Sequence, residues 1–107
     1  MDKKYLKKLA EQTEQIEKND PQNDVLWKNN YNEKLKKLSV NLDDTIDYLN
    51  TCSEMELFAY SEIFGELYEL FKSNSLIDCY IYNSKRFDNP ELQECITNEI
   101  SFIKKDL

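Results

Sequence analysis

Over most of this chain the apolar residues fall on one face of a helix. Between Asp2 and Lys18 those positions are Tyr5, Leu6, Leu9 and Ile16. Lys3, Lys4, Lys7 and Lys8 crowd the start of this segment and oppose the helix dipole, so its first turns are expected to fray unless docked. Asn19-Asp20-Pro21-Gln22-Asn23 reads as a turn. Trp27, Tyr31, Leu35, Leu38, Leu42, Ile46 and Leu49 then recur at steps of four, four, three, four, four and three, forming one apolar stripe. Asn41 suits a helix cap, with Asp43 and Asp44 in the following turn, so the stripe is expected to divide into two helices near Ser39.

Ser53 and Glu56 form a capping-box pair that opens a helix to about Ser73. Tyr60, Ile63, Phe64, Leu67, Leu70 and Phe71 share its apolar face. Glu54, Glu62, Glu66 and Glu69 share the opposite face, with Phe58 and Gly65 among them. Cys79-Tyr80-Ile81-Tyr82 fits a strand as well as a helix, but a lone strand has nothing to pair with, so residues 75–87 are read as helical. Asn89 followed by Pro90 starts a last helix carrying Leu92, Cys95, Ile96, Ile100 and Ile103. One glycine and two prolines leave little turn chemistry for a sheet. The pattern predicts an all-α bundle of four to six helices, with residues 1–107 as a single domain.

Charge adds a second pattern. From Leu38 to Phe71 there is no lysine, arginine or histidine, and eight acids alternate with Phe58, Tyr60, Phe64, Tyr68 and Phe71. Residues 1–37 carry nine lysines against seven acids, whereas residues 38–107 carry five bases against fourteen acids, for a net −7 overall. An acidic domain of this kind repels nucleic acid and anionic lipid, so neither is expected as a direct partner. A carboxylate surface with aromatic anchors suits a cationic protein. The acidic helix face has no interspersed lysines, although such pairs would stabilise a merely solvated helix.

Cys52, Cys79 and Cys95 are odd in number, lack metal-binding spacing and lie within apolar patterns, so they read as small core residues. No apolar stretch backs the N-terminal lysines and no run approaches the ~20 residues of a membrane span, which predicts a soluble, cytoplasmic chain with reduced thiols.

Two motifs touch on catalysis. Asp43-Asp44-Thr45-Ile46-Asp47 matches the Asp-Asp-x-x-Asp pattern with which isoprenoid synthases hold magnesium and diphosphate, but acids in a first helical turn are the ordinary outcome. Glu66-Leu67-Tyr68-Glu69 followed by Asp78 is similar to the magnesium motifs of all-α nucleotide pyrophosphohydrolases. Ser75 stands where the second motif needs its glutamate, and the cage loses a carboxylate. With no histidine and no glycine-rich loop, nucleophilic or phosphate chemistry has little to stand on. The expectation is a binding protein rather than an enzyme, without cofactor or metal.

The C-terminal half resembles small all-α bacterial immunity proteins of polymorphic and contact-dependent toxin systems. The resemblance lies in Ser61-Glu62-Ile63-Phe64-Gly65-Glu66-Leu67, in Phe71-Lys72-Ser73-Asn74-Ser75-Leu76-Ile77 and in Lys85-Arg86-Phe87-Asp88-Asn89-Pro90-Glu91-Leu92 ahead of an isoleucine-spaced helix. It implies a small, acidic, non-catalytic inhibitor whose partner is a cognate toxin domain, a nuclease with a basic surface in the simplest case. The residues expected at the interface are Asp43, Asp44, Asp47, Glu54, Glu62, Glu66 and Glu69 as charge partners, with Phe58 as the apolar anchor. The alternatives are the magnesium-dependent pyrophosphohydrolase and an acidic decoy that mimics nucleic acid.

Overall fold

The computed structural model describes residues 1–105 and holds seven α-helices among them. In chain order they are α1 (Lys3–Asn19), α2 (Asp24–Leu38), α3 (Leu42–Thr51), α4 (Glu54–Ser61), α5 (Phe64–Phe71), α6 (Asn74–Ser84) and α7 (Pro90–Lys105). The all-α architecture is as the sequence pattern predicts, with one helix more than the expected range.

Most of the helix starts are set by side chains that satisfy otherwise unpaired backbone N–H groups. Asp2 accepts from the Tyr5 N–H at 3.1 Å and Asn23 from Leu26 at 3.1 Å. Asn41 accepts from Asp44 at 3.0 Å, so the stripe from Trp27 to Leu49 does divide, with Ser39 closing α2. Ser53 accepts from Glu56 at 3.3 Å and Asn89 from Leu92 at 3.1 Å. The lysine-rich start of α1 is both capped and docked. The Tyr60 hydroxyl donates to the Leu6 carbonyl at 2.6 Å, and the Tyr5 hydroxyl reaches Glu33 at 2.9 Å.

The helix expected over residues 53–73 is instead two, α4 and α5, which meet at Glu62 and Ile63. In a continuous helix the Ile63 N–H would bond to the Ala59 carbonyl. Here it bonds to Tyr60 at 3.1 Å, and the Ala59 carbonyl accepts the Lys34 ammonium at 2.8 Å. A side chain inserted into the ladder is a recognised cause of a kink. Ile63, Phe64 and Leu67 are fully buried, whereas Leu70, expected on the same face, lies near the end of α5 and is 59% exposed.

One buried cluster runs from Leu6 to Ile103 and draws on α1 to α7. α1 lies against α2 and α4, α6 against α7 and α3, and α5 against α7 and α6. Tyrosine supplies much of the packing. Tyr48 and Tyr60 meet edge to face at 5.7 Å, and Tyr80 stacks on Phe64 at 4.0 Å while its hydroxyl bonds to the Phe64 carbonyl. Cys52 and Cys79 are buried as expected, and Cys95 is half-buried. The radius of gyration is 13.1 Å. A single compact domain of this length has about 13 Å.

Candidate functional site

Lys34, on α2, is fully buried and organises the acidic side of the molecule. Its ammonium donates to the Thr13 hydroxyl at 3.0 Å, to the Ala59 carbonyl at 2.8 Å and to the Glu62 carboxylate. Thr13 in turn donates to Asn30, which bonds to the Leu9 carbonyl and Gln12. Burial pushes the Lys34 pKa down, and the neighbouring Glu62 and Glu17 carboxylates oppose that shift. Within the run from Leu38 to Phe71, Glu62 is thus neutralised by a base from outside the run. Its expected role as a charge partner is largely taken up by Lys34.

Beyond Glu62, the outer faces of α2, α5 and α7 bound a shallow groove of about 300 Å³. Glu62, Glu66, Glu69 and Glu99 line it, with the aromatic rings of Tyr31 and Phe102. The Tyr31 hydroxyl donates to Glu66 at 3.0 Å, and burial followed by that bond pushes the phenol pKa up. Glu99, which comes from α7, leans over the start of α5, where Ile63 offers no side-chain cap. The Gly65 N–H lowers its pKa, but burial first and then the Glu62 carboxylate outweigh that and hold it above the ordinary carboxylate value. Gly65 makes the approach possible, since a Cβ there would sit 3.0 Å from a Glu99 carboxylate oxygen. Glu17, on α1, is raised by burial and then by Glu62, with Lys34 opposing and Glu14 adding to the effect. Glu17, Glu62 and Glu99 are therefore one electrostatically linked row, with the buried Lys34 ammonium acting on Glu17 and Glu62.

The residues expected at an interface are not all in this row. Glu66 and Glu69 are exposed in the groove, and Glu69 pairs with Lys72 at 2.5 Å. Such an exposed pair is worth little. Glu54 and Phe58 line a separate cleft of about 300 Å³ between α1 and α4, together with Glu14, Glu17 and Asn89. Phe58, expected as the apolar anchor, is half-buried and packs against the core, so it is not a free anchor. Asp43, Asp44 and Asp47 are exposed on α3, whose main neighbour is α6, and none of the three lines the groove. Asp44 borders a third cleft with Tyr5, Lys37 and Val40.

Among the described residues no three histidine, cysteine, aspartate or glutamate side chains gather where they could hold a metal ion. Asp43, Asp44 and Asp47 do not assemble one, and neither do Glu66, Glu69 and Asp78. Glu99, Tyr31 and Phe102 were missed in the sequence because the helices that carry them are distant in the chain. The isolated glycine on the acidic face was the one available sign of a close approach. No helix among the described residues is long and apolar enough to cross a membrane.

No protein-family model, no curated protein and no solved structure matches this chain.

Proposed function

We propose that this protein is an immunity protein, which binds a cognate bacterial toxin domain with a basic surface and blocks it. The observation that carries the reading is the groove between α2, α5 and α7. Glu66, Glu69 and Glu99 open onto it beside Tyr31 and Phe102, while the Lys34 ammonium is held beneath the surface. Burial and then the Glu62 carboxylate raise the Glu99 pKa, so its charged form is costly in the free protein, and a cationic partner relieves that cost. The resemblance of residues 61–92 to toxin-immunity proteins points the same way. A nuclease fits as the target because its nucleic-acid-binding surface is itself positive, and an acidic inhibitor can occupy that surface with an electrostatically assisted on-rate.

The test is growth rescue. The C-terminal domain of the protein encoded immediately upstream is expressed with and without this chain. Toxicity that disappears only when the chain is present is the expected result. An absence of toxicity, or toxicity without rescue, contradicts the reading. An acidic decoy would instead pull down many basic proteins of unrelated sequence, where an immunity protein retains one.

A further inference from the structure

Tyr31, which lines the groove, has an aromatic neighbour further along α2. Trp27 is 45% exposed near the start of that helix. The indole packs against Tyr31 with ring centroids 5.1 Å apart and planes tilted by 36°. Tyr31 is held by its bond to Glu66 and forms a wall of the groove, with Phe102, 66% exposed, as another part of the lining. Lys28 follows Trp27 in sequence but lies about 100° round the helix from it. The result is an aromatic ledge, Trp27 to Tyr31, that ends at carboxylates.

The two kinds of basic side chain use such a surface differently. A lysine ammonium is a compact, strongly hydrated point charge that gains mainly from the carboxylates. An arginine guanidinium is planar and weakly hydrated, stacks on aromatic faces and offers a fork of donors to a carboxylate. Exposed carboxylates without aromatic faces would take either.

We propose that the Trp27–Tyr31 ledge and the Glu66 and Glu99 carboxylates form one docking surface whose occupant is an arginine side chain of the basic partner. This rests on the partner being basic, as proposed above, and names the chemistry by which it is recognised.

Trp27 is the only tryptophan, so its emission reports on the ledge directly. Hexa-arginine and hexa-lysine peptides of equal charge would be titrated into the full chain at low salt, with affinity from calorimetry and emission followed in parallel. Hexa-arginine is expected to shift Trp27 emission. Hexa-lysine is expected to bind about two- to fivefold more weakly, the size of an exposed cation–π contact, and to leave emission unchanged. Trp27→Leu, at an exposed site, should remove the arginine preference and retain lysine-level binding. Equal affinities, a preference that survives Trp27→Leu, or no binding of either peptide would overturn the arginine assignment. Growth rescue that persists in any of those cases leaves the immunity reading standing, so the two failures are separable.

Discussion

The Lys34 ammonium donates to the Ala59 carbonyl at 2.8 Å, taking the acceptor that the Ile63 N–H would need if α4 and α5 were one helix. That contact breaks the helix, and the same ammonium binds Glu62 at the break. The two partners differ in their access to water: the Lys34 side chain has none, while that of Glu62 is 27% exposed. Removing Glu62 leaves a buried cation without its counter-ion, whereas removing Lys34 leaves a carboxylate that can reach solvent. Glu62→Leu should therefore cost about 3–4 kcal/mol and Lys34→Met about 2–3 kcal/mol in urea unfolding, both with unchanged slope. The reverse order would contradict this account of the break.

Much of the fold was legible from local signals, because a cap is written within four residues. Asn41, Ser53 and Asn89 each bond to the backbone N–H three positions on. The α4–α5 break was not legible, since Lys34 lies 25 residues before Ala59 and no proline between Ser53 and Ser73 marks a stop at Ile63. The acidic face could be read only in part for the same reason. Glu66 and Glu69 follow from helical spacing, but Glu99 joins them only once α7 has packed beside α5. Trp27 sits in the apolar stripe by period, yet it projects past the end of the core. Asp43, Asp44 and Asp47 look equivalent to the other acids in sequence and differ only because α3 packs on α6.

Gly65→Ala separates stability from binding. Alanine gains about 1 kcal/mol of helix propensity over glycine, and its new Cβ would displace only the flexible end of Glu99. The thermal midpoint should hold or rise while affinity for a basic partner falls, as the Glu99 carboxylate is moved out of place. A loss of stability with affinity unchanged would show that Gly65 serves packing alone.

Glu17 and Glu99 make stability depend on pH with a defined sign. Burial, followed by the Glu62 carboxylate, raises both above the ordinary value of 4.5, so the folded chain holds these protons more readily than the unfolded one. Their contribution to stability is full below that value and is lost as pH rises through their folded pKa values. Glu99→Gln should accordingly be more stable than the parent at pH 7 and show a smaller decline in stability as the pH rises above 4.5. Binding of a basic partner should move the opposite way and weaken as the pH falls through the same window. Thermal melts and titrations across that range check both.

Arg86 closes α3 from a distance. Its guanidinium donates to the Asn50 and Cys52 carbonyls at the helix end and lies 4.6 Å from the Phe87 ring. Arg86→Ala strands those carbonyls and should cost about 2–3 kcal/mol. Arg86→Lys cannot fork to both and should recover less than half of the loss in chemical denaturation.

The thiols should react in a fixed order. Burial pushes Cys52 and Cys79 up to about 11, so neither carries appreciable thiolate at neutral pH. Cys95 is less buried, although burial and the acids around it raise its pKa too. Native labelling at pH 7.5 followed by peptide mass mapping should mark Cys95 first, with Cys52 and Cys79 reacting only on unfolding. Early labelling of Cys52 would contradict the core packing.

The most direct test of the acidic groove as the partner-binding surface is growth rescue by a Glu66→Lys/Glu69→Lys/Glu99→Lys variant beside the parent chain, with circular dichroism confirming that both are folded. Glu62 is left intact because it neutralises buried Lys34. The account predicts that the parent rescues and the folded triple variant does not. Equal rescue by both would contradict it and place the partner on another face.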